Sequence, residues 1–227
     1  MKRKNKRRKN ILPQILLFIG LSVFSFICIQ NLKEEFKDIP SEIHGEVSGE
    51  WYFILVNHEN PVPEKYAPEL TVLNNGRSVD SRIYPDLQEM FDDMRAEGIY
   101  PIVGEGYRTA AEQRRIMDEK IEAYINDGFP KKRAEALAEN EVAPVDKSEH
   151  QLGLAVDINA DKALSTNDEV YNWLSENAYR YGFILRYPSD KISITGIDFE
   201  PWHYRYVGKE AAKEIYERGI CLEEYLE

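Results

Sequence analysis

Ser148-Glu149-His150-Gln151-Leu152-Gly153-Leu154-Ala155-Val156-Asp157 sets a histidine and an aspartate seven residues apart, on either side of a glycine. Gln151-Leu152-Gly153 reads as a turn and Leu154–Ile158 as a buried strand that carries Asp157 while His150 approaches from the loop. An aspartate inside the apolar run Ala155-Val156-Asp157-Ile158 is costly unless it meets a partner or a metal. Taken alone, the pair also fits a surface histidine and a core aspartate that caps a neighbouring turn.

Glu200-Pro201-Trp202-His203 supplies a second histidine with a glutamate three residues before it. Pro201 disfavours helix at Glu200 and biases that residue toward an extended conformation. Trp202 is expected to pack inward while its neighbours face a cleft. A lone Glu-x-x-His is common on any surface, but the chain has only four histidines. His44 falls in a polar linker and His58 after the first strand, so His150 and His203 are the two within candidate site motifs. Two neutral imidazoles and one carboxylate make a three-ligand zinc set with a fourth position open for water, although another divalent ion suits the same donors. The remaining carboxylate can serve as a general base.

Working outward, Trp51–Asn57 is aromatic and β-branched and is expected to open the domain as a strand. Leu70–Leu73 reads as another short strand. A helix is expected from Pro85, with Leu87, Phe91 and Met94 inward and Gly98 as its C-terminal glycine. Ile99–Val103 follows as a strand. Thr109 and Glu112 fit a capping box for a helix to about Asp127, with Ile116, the Lys120 stem, Ile121, Tyr124 and Ile125 as its inner face. A helix over residues 132–141 comes next. A second capping box, Thr166 with Glu169, leads a helix through Trp173, Leu174 and Ala178 that ends at Gly182. Phe183–Tyr187 and Trp202–Val207 read as strands, and Gly208–Gly219 as the last helix. Interspersed elements with irregular connections imply an α+β fold with a small, mostly antiparallel sheet flanked by helices.

The formal charge is -11, yet the first ten residues carry seven Lys/Arg and no acid. The rest is therefore strongly acidic and a poor partner for nucleic acid, whose binding rests on neutralising phosphates. Residues 11–30 are uncharged and about long enough to span a membrane, and the basic residues 1–10 place the N-terminus in the cytoplasm. This predicts a single-pass anchor, residues 31–50 as a linker, and a domain over residues 51–227 outside the cytoplasm; the alternative is a cleaved signal segment and a secreted form. The two cysteines, Cys28 and Cys221, form no disulfide framework and no cysteine-based zinc site.

The pattern Ser-x-His-x-x-Gly-x-Ala-x-Asp, complete in Ser148–Asp157, followed by Glu-x-Trp-His, complete in Glu200–His203, resembles the VanY-type zinc D-alanyl-D-alanine carboxypeptidases. These belong to a wider group with VanX-type dipeptidases, L,D-carboxypeptidases and hedgehog-like domains. The resemblance runs from about Trp51 to the C-terminus and includes Leu55-Val56-Asn57 and Gly106-Tyr107-Arg108-Thr109 with Gln113. Where the family usually has Ser-Gly-Tyr-Arg-Ser, this chain has Glu105 first and Thr109 last. The resemblance implies a hedgehog/DD-peptidase-like fold with His150, Asp157 and His203 as zinc ligands and Glu200 as the general base. It implies that Arg108 contacts the peptide and stabilises developing negative charge, and that Gln113 and Ser148 are substrate-binding. Read alone, Arg108 also fits an ordinary salt bridge, Ser148 a turn residue and Gln113 an exposed helix position.

The activity so implied is removal of the terminal D-alanine from peptidoglycan stem peptides at the outer face of the membrane. An L,D-carboxypeptidase that trims tetrapeptide stems shares the same motifs. A zinc-stabilised module that binds cell wall without cutting is the reading from another class; a carboxylate at position 200 argues against it, since a structural site needs no base.

Overall fold

Strand β4 (Ala155–Ala160) is the centre on which the fold closes. The computed structural model describes residues 51–227. Val156, Ile158 and Ala160 point to one face of β4 and are almost wholly buried, whereas Asp157 and Asn159 on the other face keep some exposure. This is the period-2 alternation of a strand with a core on one side and a cleft on the other.

Around it, β3 (Pro101–Glu105), β4, β6 (His203–Tyr206) and β5 (Phe183–Leu185) make a four-stranded sheet in the order β3-β4-β6-β5. Every neighbouring pair is antiparallel. A separate two-stranded sheet joins β1 (Leu70–Val72) to β2 (Ser78–Asp80). Val79, Val103, Leu152, Leu154, Phe183 and Tyr204 share the core with Met90 and Met94 of α1 (Tyr84–Ala96) and Val170, Trp173 and Leu174 of α4 (Asn167–Asn177). Pro85 at the start of α1 and Gly98 just beyond its end match the expected boundaries.

Both capping boxes form. Thr109 Oγ1 accepts from the Glu112 backbone N–H, and Glu112 accepts in return from the Thr109 N–H, opening α2 (Ala110–Asn126). Thr166 and Glu169 do the same for α4. Helix α3 (Lys131–Ala138) follows α2. Of the inner face expected for α2, Ile125 is 41% exposed, and Gln113 is the one buried residue. The hairpin α2–α3 thus stands beside the cleft instead of covering the main core.

Two further expectations are corrected. Trp51–Asn57 forms no strand. The carbonyls of Tyr52 and Ile54 both accept from Arg205 Nη2, at 2.8 Å each, so a guanidinium takes acceptors that a strand partner would otherwise take. Trp51 stacks on Tyr206, and the segment straps the sheet as extended coil. After α6 (Lys209–Arg218), a short helix α7 (Leu222–Leu226) closes the chain, so Gly219 does not end the last helix. A brief helix, α5 (Ile192–Thr195), precedes β6. Among the described residues no helix is long and apolar enough to cross a membrane. The anchor expected at residues 11–30, with segments 1–10 and 31–50, lies outside the described residues.

Two measurements test this packing. Ile158→Ala opens a cavity beneath β4 and should lower unfolding free energy by about 2–5 kcal/mol in urea titrations. The Glu224 carboxylate, which accepts from the Cys221 backbone N–H and pairs with Lys191, is held down at about 2. Its folded value lies below the unfolded one, so its contribution is complete above the ordinary carboxylate range and fades as pH falls toward 2. The stability gap between wild type and Glu224→Gln should therefore be constant above about pH 5 and narrow below about pH 4; a gap independent of pH would refute the assignment.

Candidate metal centre and active-site cleft

Ladder register places the first two functional side chains. Asp157 of β4 lies directly opposite His203 of β6, so both project from the same face of the sheet. The segment before β6 forms a turn in which the His203 N–H donates to the Glu200 carbonyl at 3.1 Å, with Pro201 in the second position. That turn carries Glu200 back to within 3.6 Å of His203 Nδ1. Trp202, expected to pack inward, is instead half-buried and lines the cleft.

His150 comes from a 3-10 turn, Glu149–Leu152, which ends at Gly153 with φ of +71°. A β-carbon there would be strained by the positive φ and would meet the Asp80 backbone nitrogen at 3.0 Å, which explains the glycine. The Arg108 N–H donates to the His150 carbonyl, stapling the loop after β3 to this turn. Gly106 in that loop passes close to β2: a β-carbon would lie 2.2 Å from the Ser78 carbonyl oxygen. Its own carbonyl sits 2.8 Å from His150 Nδ1. A carbonyl only accepts, so Nδ1 carries the proton and Nε2 is left with its lone pair toward the cleft. Burial pushes the His150 pKa down, which favours that neutral form.

One donor atom each from His150, Asp157 and His203 lies within 4.8 Å of the others. Asp157 Oδ1 is 3.4 Å from His150 Nε2 and 3.0 Å from His203 Nδ1. Ligands held about 2.0–2.1 Å from a tetrahedral ion are themselves about 3.3 Å apart, so these three residues fit such an ion. Burial disfavours charge on Asp157 and on His203, but their mutual attraction outweighs it. Asp157, beside His150 and His203, is held well below the usual carboxylate range, and His203 is raised to about 9 by Asp157 and Glu149. A metal ion would take the place of the proton that these groups otherwise hold between them.

Glu200 differs from these. Burial, with the charge of Asp157, pushes its carboxyl up to about 7 against the pull of His203 and Arg108. A carboxyl poised near neutrality at the edge of a donor set is suited to exchanging protons. Arg108 extends over the other side of Asp157: Nη2 is 3.3 Å from Asp157 Oδ2, Nε 3.2 Å from Glu105, and Nη1 3.4 Å from Gln113 Oε1. Glu105 also pairs with Arg77 at 2.7 Å, so the acid found where the family has serine serves as a tether for Arg108. Gln113 donates to the Ala143 carbonyl at 2.6 Å, and Ser148 is buried. All seven residues singled out in the sequence, from Arg108 to His203, line one cavity of about 180 Å³. A cavity of about 220 Å³ between α4, β5 and α6 shares none of them.

Sequence reasoning missed the layer behind. Glu149, Arg186 and Arg205 are wholly buried charged residues, joined by Glu223 of α7. Glu149 Oε1 accepts from Arg186 Nε and Arg205 Nη1, both at 2.8 Å, and Arg186 grips Glu223 through two nitrogens. Tyr187, its ring 4.8 Å from that of His203, was also overlooked. The available signal was charge in the wrong place: Arg186 and Arg205 interrupt strand patterns whose neighbours are apolar or aromatic.

An antiparallel α+β sheet that holds a two-histidine, one-carboxylate donor set, with a second carboxyl beside it, is a metallopeptidase architecture. The chain belongs to the VanY family, described as D-alanyl-D-alanine carboxypeptidase, whose family model matches residues 76–209. A D-alanyl-D-alanine carboxypeptidase of Enterococcus faecalis (strain ATCC 700802 / V583) is 59% identical over 177 residues, which cover 78% of this chain and 66% of that relative. Two solved structures are similar at 59% identity and a TM-score of 0.77. One is a vancomycin-resistance D,D-pentapeptidase VanY variant from a VanB-type resistance cassette in complex with Zn(II), matched over 78% of this chain and 100% of the other. The second is VanYB in complex with D-alanine-D-alanine, matched over 78% and 98%.

Gly106→Ala tests the local architecture of the site. The added methyl group must displace β2 or the loop whose carbonyl orients His150, so both the urea midpoint and the affinity for Zn(II) are expected to fall. A variant with both unchanged would show that the loop yields without moving that carbonyl.

Proposed function

We propose that residues 51–227 form a zinc-dependent D,D-carboxypeptidase that removes the terminal D-alanine from peptidoglycan stem peptides. The observation that carries this reading is Glu200, a half-buried carboxyl beside, but outside, the donor set of His150, Asp157 and His203. The relative seen with D-alanine-D-alanine supports the substrate, and the one seen with Zn(II) supports the metal. When bound, zinc supplies a Lewis acid that acidifies water and polarises a carbonyl.

The protein's own groups do the rest. Glu200 takes a proton from the attacking water and returns it to the leaving amine. Arg108, steadied by Glu105 and Gln113, offers its guanidinium to the oxygen on which negative charge develops. Ser148 and Gln113 contribute polar contacts along the peptide, and the Gly106 carbonyl keeps the His150 ring in place. We also propose that residues 11–30 anchor the chain with residues 1–10 in the cytoplasm and residues 51–227 facing the wall. Support comes from the seven basic residues ahead of an uncharged apolar run.

Incubation of the full chain with purified pentapeptide and tetrapeptide stems, with and without a chelator and read by mass spectrometry, tests the activity. Loss of one alanine from the pentapeptide, abolished by chelation, is the expected result. Trimming of the tetrapeptide alone would move the specificity to L,D, and no cleavage by folded, zinc-loaded protein would favour a binding module. Glu200→Ala should retain Zn(II) while turnover falls by about 10²–10⁴-fold; hydrolysis at the wild-type rate would remove Glu200 from the mechanism. Arg108→Ala should lower kcat/KM by about 10²-fold or more with Zn(II) still bound.

A further inference from the structure

We propose that Glu149 is the positioning residue of His203: its carboxylate accepts the Nε2–H of His203, leaving Nδ1 as the nitrogen offered to the metal. The inference rests on the zinc-hydrolase reading above and extends it to the layer behind the ligands.

The two oxygens of Glu149 are used differently. Oε1 takes both arginines, Arg186 and Arg205, at 2.8 Å. Oε2 is buried with no hydrogen-bond partner and lies 3.6 Å from His203 Nε2, which is buried and equally without one. On the far side of the same ring, Nδ1 lies 3.0 Å from Asp157 Oδ1. Each atom is therefore the nearest answer to the other's vacancy. Turning the ring over would set a C–H against the carboxylate and strand both polar atoms in the interior. A cluster built solely to pin secondary structure would have no reason to aim a free carboxylate oxygen at an imidazole.

His150 follows the same rule with a weaker acceptor, since its outer nitrogen rests on the Gly106 carbonyl. A carboxylate behind a metal-ligating histidine fixes its orientation and raises its basicity. Burying that carboxylate without partners would be prohibitive, and the surroundings answer for it. Arg186 is held in turn by Glu223 of α7 at 2.6 and 2.9 Å, and Asn57 donates to Glu223 at 3.2 Å. Arg205 is fixed by the Tyr52 and Ile54 carbonyls. The C-terminal helix and the strap at residues 51–57 thereby reach the metal centre through Glu149, although neither lines the cleft.

The test reads coordination without substrate. In the full chain labelled with ¹⁵N-histidine and loaded with Zn(II), NMR should show His203 protonated at Nε2 and metal-bound at Nδ1, with His150 the reverse. Coordination of His203 through Nε2 would overturn the proposal, whether or not any variant folds. Glu149→Gln keeps the volume and the contacts of Oε1. It should weaken Zn(II) binding by about 10–100-fold in competition with a chelator and let the His203 Nε2 proton exchange rapidly. A folded Glu149→Gln protein with wild-type zinc affinity and a slowly exchanging proton would equally overturn it. Wild-type protein that shows the expected coordination but releases no D-alanine would refute the functional reading alone. Protein that releases D-alanine while His203 binds through Nε2 would refute this proposal alone.

Discussion

Asp157 and His203 face each other across the β4–β6 ladder, and a slip of one residue in that pairing would send His203 into the core and Tyr204 into the cleft. What prevents the slip is the other side of the same strands. Val156, Ile158 and Tyr204 are each buried almost completely in the core shared with α1 and α4, and a one-residue slip would turn Tyr204 out of it. The apolar face of the sheet thus sets the spacing of the donor atoms on its polar face. The irregularity between Val103 and Glu105 belongs to the same design: it sets Glu105 opposite Asp157, from where it reaches Arg108.

Behind the donors lies a second constraint, the burial of four charges. Glu149, Arg186 and Arg205 are inaccessible and Glu223 nearly so, a placement that is unfavourable for each ion taken alone. Removing one member of such a set typically costs about 3–5 kcal/mol, because the remaining charges lose their compensation. The cluster is better understood through geometry than through stability. Its hydrogen bonds join the residue after β5, β6, the turn before β4, the strap and α7, five segments that meet at a point immediately behind His203.

The cleft combines rigid and lighter parts. Its floor is sheet and its donors are fixed by ladder, turn and buried cluster. One wall comes from α2 and the segment after α3, and the buried residues of α2 and α3 are few: Gln113, Ala134 and Ala138. Gln113 links the two by holding Arg108 with its carbonyl and the Ala143 backbone with its amide.

Local chemistry sufficed to foresee much of this protein. The two capping boxes, the helix begun by Pro85 and the strand around Asp157 each follow from a few adjacent residues, because caps and alternation act over three to five positions. The donor set was legible for a related reason: buried carboxylate and imidazole are rare enough that their placement in apolar or turn contexts stands out. Trp51–Asn57 misled because its strand-like composition expresses a demand for burial, and burial was met by packing on Tyr206 and Arg205 without a ladder. Trp202 was placed inward on the same composition argument, while the turn at Pro201 directed it to the cleft. Glu149 and its arginines escaped notice because their partners lie 37 to 56 residues away. Sequence by itself determined the family and most of the element types, and it singled out the candidate donors. Only the tertiary structure decided how those donors are oriented, since that depends on hydrogen bonds between segments that local propensity does not connect.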